Sequence, residues 1–139
     1  MQNGGRILIV DDCDGYWAFY KDALVEFFGV AEEKIFIFPS PEEVLALLEE
    51  EQDDTISLVI TDLRMSDMNG LTFTRELRKR GMRSFVMMIT GSLAPPFDSE
   101  MVYSAGVDYL VEKGAGMLEC IQYALRVTNT LPVPEGLAA

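Results

Sequence analysis

ILIV (7–10) runs straight into Asp11 and Asp12, and LVIT (58–61) runs into Asp62. Two more short apolar runs end in the same manner: FVMMI (85–89) leads to Thr90, and YLVE (109–112) to Lys113. Short runs rich in β-branched residues, separated by helical periodicity, read as parallel strands. Parallel strands finish at one common edge, and open α/β sheets bind their ligands there. The pattern predicts three carboxylates, a hydroxyl and an ammonium converging on one place. That set suits a divalent cation and a phosphoryl group.

Working outward, Tyr16, Phe19, Tyr20, Ala23, Leu24, Phe27 and Phe28 recur at three- and four-residue intervals, the buried face of a first helix that Gly29 stops. Ile35–Phe38 reads as a second strand. Ser40-Pro41-Glu42-Glu43 then supplies an N-cap, a proline at the first helical position and a capping-box glutamate. Val44, Leu45, Leu47 and Leu48 form the inward face of that second helix. The loop SDMNG (66–70) precedes a third helix with Leu71, Thr74 and Leu77 inward and Gly81 as its stop. After a long loop with Pro95 and Pro96, Asp98 or Ser99 caps a short fourth helix ending near Gly106. The last helix places Met117, Leu118, Ile121, Ala124 and Leu125 on one face.

Five βα units with continuous apolar strands call for an α/β, doubly wound five-stranded parallel sheet with helices on both faces. Right-handed crossovers leave 2-1-3-4-5 as the natural order, a flavodoxin-like (βα)5 arrangement. The domain is expected over residues 1–129, and TLPVPEGLAA (130–139), with two prolines and no periodicity, reads as a flexible tail or linker stub.

At 139 residues the chain is long enough to bury a real core as one domain. The start, MQNGGRILIVDD, reaches two aspartates after four strongly apolar residues and makes a poor signal peptide. No apolar stretch approaches the roughly 20 residues of a spanning helix, so a cytoplasmic, non-membrane protein is expected. A net charge of −12 disfavours direct contact with nucleic acid. The acidic run Glu49–Glu51 with Asp53 and Asp54 reads as a solvated helix end and loop. Cys13 and Cys120 lack metal-ligand spacing and read as free buried thiols, Cys13 kept unreactive by Asp11, Asp12 and Asp14. With no histidine, Ser-His and Cys-His nucleophiles and histidine metal sites are excluded.

In the 2-1-3-4-5 order, strands 1 and 3 are neighbours, so Asp11, Asp12 and Asp62 meet above the sheet. Two carboxylates about 4 Å apart repel by about 4 kcal/mol at an effective dielectric near 20. Three of them demand a counter-charge, and Mg²⁺ suits a few carboxylates with a backbone carbonyl and waters. Lys113 adds a second positive group, and the two together neutralise phosphoryl oxygens during transfer.

The same residues resemble a known family. DD (11–12), ITDLRMSDMNG (60–70), MMITGS (87–92) and AGVDYLVEKG (105–114) are similar, in this order, to the motifs of the response-regulator receiver domain of two-component signalling. The resemblance runs from about Arg6 to about Thr128. It implies that Asp62 accepts a phosphoryl group from a sensor histidine kinase or a phosphotransfer protein. It further implies that Asp12 binds Mg²⁺ directly, Asp11 mainly through water, and the carbonyl of Arg64 as a further ligand. Thr90 then hydrogen-bonds the phosphoryl group and Lys113 pairs with it. The output leaves through the fourth helix, fifth strand and last helix toward an output protein or domain, with a homodimer as one form of the active state. Beyond its own phosphoryl uptake and hydrolysis, the chain is expected to be a switch and not an enzyme.

Several positions depart from the family's pattern. Ser66 and Gly114 stand where proline is common, which predicts a looser loop after Asp62 and no assured cis peptide after Lys113. Gly91 stands where alanine is common. Leu110 occupies the position of a rotating aromatic, with Tyr109 beside it on the opposite strand face. Arg64, two residues after Asp62, is expected across the phosphoryl group or turned to solvent or Asp67. One alternative is a haloacid-dehalogenase-type phosphatase using Asp12 and Asp14, which leaves Asp62 idle and lacks a further acidic pair near the fourth strand. Another is a pseudo-receiver, a binding module that is not phosphorylated.

Overall fold

The computed structural model describes residues 5–50, 55–114 and 116–132. Five strands, β1 (Arg6–Val10), β2 (Ile35–Phe38), β3 (Ile56–Thr61), β4 (Phe85–Thr90) and β5 (Tyr109–Glu112), form one parallel sheet in the order β2-β1-β3-β4-β5. The helices are α1 (Asp14–Lys21), α2 (Pro41–Glu50), α3 (Gly70–Lys79), α4 (Ser99–Ser104) and α5 (Met117–Val127). The expected topology is present.

Strand alternation divides the interior into two cores. Leu8, Val10, Val59, Val86 and Met88 face α2, α3 and α4, packing with Val44, Leu71, Phe73 and Val102. Ile7, Ile9, Leu58, Ile60, Met87 and Ile89 face α1 and α5, packing with Tyr20, Leu24, Ile121 and Leu125. The central strands are apolar at nearly every position because helices cover both faces.

Local chemistry sets the helix ends. Ser40 Oγ accepts from the Glu43 N–H at 3.3 Å, the N-cap half of the expected capping box, while the Glu43 carboxylate meets the Ser40 hydroxyl at 3.5 Å. Asn69 caps α3 by accepting from the Thr72 N–H at 2.9 Å, and Asp98, not Ser99, caps α4 through the Met101 N–H at 2.9 Å. Gly70 has a specific steric duty: a Cβ there would run into the Asp62 carbonyl oxygen. Its absence lets α3 begin directly against the end of β3.

Three expectations are corrected. The first helix is not α-helical throughout, because Asp22–Phe27 forms a π-helical segment. The wider turn rotates the face away from a 3.6-residue period, and Phe27 ends 67% exposed instead of buried. Leu47 is 52% exposed, since the buried arc of α2 runs through Val44, Leu45 and Leu48 and position 47 falls on its flank. Cys13 is free but exposed, because it is the N-cap of α1 on the loop above the sheet.

Thr130 is buried with its N–H donating to the Leu125 carbonyl at 2.8 Å, and Leu131 packs on the α1/α5 core. Residues 133–139 of the expected tail, and Glu51, Asp53 and Asp54 of the acidic run, lie outside the described residues. Among the described residues no helix is long and apolar enough to cross a membrane.

Candidate functional site

The β1–β3 register pairs Val10 with Thr61, so the next residue on each strand, Asp11 and Asp62, emerges side by side. Asp62 N–H donates to the Val10 carbonyl at 3.2 Å and Asp11 N–H to the Phe38 carbonyl at 3.2 Å, extending the ladder into the site. Carboxylate oxygens of Asp11, Asp12 and Asp62 all lie within 4.8 Å of one another. Asp14 is not one of this group and sits instead in the first turn of α1. The spacing Asp12-Cys13-Asp14 therefore does not direct two carboxylates to one centre.

Each acid is held differently. Asp11 is fully buried, with Oδ1 accepting from the Cys13 N–H at 2.9 Å. Its Oδ2 has no hydrogen-bond partner; the nearest cation is the Lys113 ammonium at 3.9 Å. Burial pushes the Asp11 carboxyl up to about 6; the Cys13 N–H opposes this, Asp62 adds to it, Lys113 opposes it and Asp12 adds to it. Asp62 Oδ1 accepts from the Leu63 N–H at 2.7 Å, and Oδ2 from Lys113 Nζ at 3.1 Å. Asp12 is exposed, and its Oδ2 accepts from both the N–H (3.2 Å) and the hydroxyl (3.1 Å) of Ser66.

Lys113 leaves the end of β5 and crosses to this group. Burial works against its charge, but the hydrogen bond to Asp62 and the charges of Asp62 and Asp11 outweigh it and raise its pKa. Thr90 ends β4, buried, with its hydroxyl donating to the Ser92 carbonyl at 3.2 Å. Its own carbonyl accepts from the Lys113 N–H at 2.7 Å, which joins the ends of β4 and β5. The structure thus brings Asp11, Asp12, Asp62 and Lys113 together and sets Thr90 on the adjoining strand end.

A hard cation fits this donor set. Three carboxylates that repel one another include one buried oxygen, Asp11 Oδ2, that no hydrogen bond satisfies. Oxygen ligands of this kind select a divalent ion such as Mg²⁺ over a softer metal.

The departures noted in the sequence resolve individually. Ser66 does not loosen its loop, because both of its donors tie the loop to Asp12. Arg64 is exposed and anchored on the next loop. Its Nη2 donates to the Ala94 carbonyl at 3.2 Å and its guanidinium lies over the Phe97 ring. Leu110 packs toward α4, whereas Tyr109 faces α5, donating to Cys120 Sγ at 3.3 Å and meeting the Tyr123 ring edge-on. Tyr109 is therefore on the wrong face to replace an aromatic at 110. The cis peptide among the described residues is Pro95–Pro96, away from Gly114.

Residues to which the sequence reading gave no part in the site also touch it. The Tyr16 ring faces the Lys113 ammonium, and Trp17 Nε1 donates to the Asp11 carbonyl at 2.6 Å. Tyr20 has a buried hydroxyl without a partner, its pKa raised by burial and then by the charges of Asp11 and Asp62. The available signal was the aromatic density of YWAFY (16–20) immediately after the acids.

The family model for the response regulator receiver domain matches residues 7–124. Among curated proteins a sequence comparison finds no match. Among solved structures, a response regulator receiver domain protein from Clostridium thermocellum superposes with a TM-score of 0.75 at 22% identity, covering 90% of this chain and 94% of that one. A CheY-like receiver domain protein from Methanospirillum hungatei JF-1 gives 0.70 at 28% identity, covering 90% and 96%. Chemotaxis protein CheY4 from Vibrio cholerae gives 0.70 at 17%, covering 87% and 98%. The carboxylate group at the ends of β1 and β3, the Lys113–Asp62 contact and a family match over most of the chain agree: the chain belongs to the response regulator receiver domain family.

Proposed function

We propose that the chain is a phosphoacceptor switch: Asp62 takes a phosphoryl group from a phosphohistidine on a sensor histidine kinase or phosphotransfer protein. The observation that carries this reading is the Lys113 ammonium 3.1 Å from Asp62 Oδ2, beside a buried Asp11 oxygen that has no hydrogen bond. Asp11, Asp12, Asp62 and the Arg64 carbonyl would hold Mg²⁺, which supplies positive charge against the transferring phosphoryl oxygens.

The chain's own residues do the rest. An Asp62 carboxylate oxygen attacks phosphorus, the new O–P bond forms as the donor's N–P bond breaks, and the imidazole leaves with the electron pair and takes a proton. Lys113 transfers its hydrogen bond from the carboxylate to a phosphoryl oxygen, a charge-assisted contact. Thr90 gives up the Ser92 carbonyl and donates to another phosphoryl oxygen, which displaces the β4–α4 loop. That displacement shifts a two-state equilibrium at the surface of α4, β5 and α5, where an output protein, an output domain or a second copy engages.

Treatment with acetyl phosphate or beryllofluoride and Mg²⁺ tests the reading by mass spectrometry. Modification or a tight analogue complex at Asp62 is expected, lost in Asp62→Asn. Labelling that persists at the wild-type level in that variant overturns the assignment.

A further inference from the structure

We infer that Tyr16 is a positioning residue for Lys113, its ring face seating the ammonium that is aimed at Asp62; this rests on the phosphoacceptor reading of Asp62. Lys113 Nζ lies 3.9 Å from the centre of the Tyr16 ring, well inside the roughly 6 Å over which a cation is drawn to an aromatic face. The lysine side chain is only 14% exposed, so water provides little of its solvation. Its surroundings are Asp62 Oδ2 at 3.1 Å, Asp11 Oδ2 at 3.9 Å and the Tyr16 ring. Two acids pull the ammonium inward, and the ring closes the remaining side.

The backbone after Lys113 offers no substitute for this seat. Gly114 and Gly116 both have positive φ, and a Cβ at either position would touch nothing within 4 Å. Neither glycine carries a side chain that could constrain the direction of the lysine. Tyr16, by contrast, is braced. Its N–H donates to the Cys13 carbonyl at 3.0 Å in the first turn of α1. Its ring meets Phe19 edge-on at 6.5 Å and Tyr20 at 6.1 Å, and Tyr20 is itself buried. A ring fixed by the α1/α5 core therefore sets the position of a cation carried by β5. The contact uses the ring face and not the hydroxyl, so Phe should replace Tyr16 and an aliphatic residue should not.

The test uses the full chain with Tyr16→Phe and Tyr16→Leu. The wild-type Lys113 ε-methylene protons should resonate upfield of the other lysines from ring shielding, remain there in Tyr16→Phe, and return to the ordinary position in Tyr16→Leu. With Mg²⁺ saturating, Asp62 labelling by acetyl phosphate should slow about tenfold in Tyr16→Leu and stay within about twofold in Tyr16→Phe. Mg²⁺ affinity should not change in either variant, whereas a purely structural role would disturb it, together with thermal stability, in parallel with labelling. An unshifted lysine resonance in the wild type, or equal labelling rates in Tyr16→Leu and wild type, overturns the seat. A wild-type protein that is not labelled at Asp62 sinks the phosphoacceptor reading instead, and the lysine resonance then decides the seat by itself.

Discussion

Arg64 lies with its guanidinium carbon 5.1 Å from the centre of the Phe97 ring, while its Nη2 donates to the Ala94 carbonyl at 3.2 Å. The loop that follows Asp62 is thereby tied to the loop that follows Thr90, whose own hydroxyl holds Ser92. One tether starts at the end of β4, and the other starts two residues after Asp62. Arg64→Ala is expected to raise amide exchange across residues 92–97 by about tenfold while costing under about 1 kcal/mol of global stability, since the pair is exposed. Exchange that is unchanged in that stretch would show the tether to be inert.

The pH dependence follows from Asp11. Its carboxyl is pushed from an ordinary 3.8 up to about 6, by burial first. The folded chain then holds this proton more tightly than the unfolded one, so the stability linked to Asp11 is full below about pH 4 and is lost as pH rises through about 6. The full loss is on the order of 3 kcal/mol. Without divalent cations, Asp11→Asn should therefore be more stable than the wild type near about pH 8, with the difference shrinking on acidification. Urea melts across that range check this, and a pH-independent difference would contradict it.

Tyr20 buries a hydroxyl that has no partner. An unsatisfied buried polar group costs about 1–3 kcal/mol, so Tyr20→Phe should stabilise the protein by about 1 kcal/mol. Loss of stability in this variant would reveal a hydrogen bond made by the phenol in solution.

Arg78 ties together the segments that lead into β4 and β5. Nε and Nη2 donate to the Gly106 carbonyl at 3.2 and 2.7 Å, Nη1 to the carbonyls of Met82 (2.9 Å) and Ser84 (2.8 Å), and Nη2 to Asp108 Oδ2 (3.0 Å). A lysine cannot reach all of these from one point, so Arg78→Lys should cost about 2–3 kcal/mol in a denaturant melt. Lys79→Met, which removes an exposed pair with Glu76, should leave the midpoint unmoved. Equal effects from the two changes would remove any special role for Arg78.

The sheet order, the strand ends and the groups placed on them were legible in the chain alone. A parallel strand is recognised from its own short apolar run, and the residue that ends it is read directly from the chain. Ser40 and Glu43 were legible for the same reason, as a cap is made within four residues. The inward positions Leu71, Thr74 and Leu77 of α3 also followed from local periodicity. How those groups are held depends on the packing of elements distant in sequence. Asp12 is bound by Ser66 across 54 positions, and Arg64 by Ala94 across 30. Lys113 sits against Tyr16, which periodicity assigned only to a helix face. The π-helical turn that exposes Phe27 was equally unreadable. Periodicity reports which face of an element a side chain occupies. The atom it meets across the gap depends on how two separately formed elements approach, and neither segment encodes that approach alone.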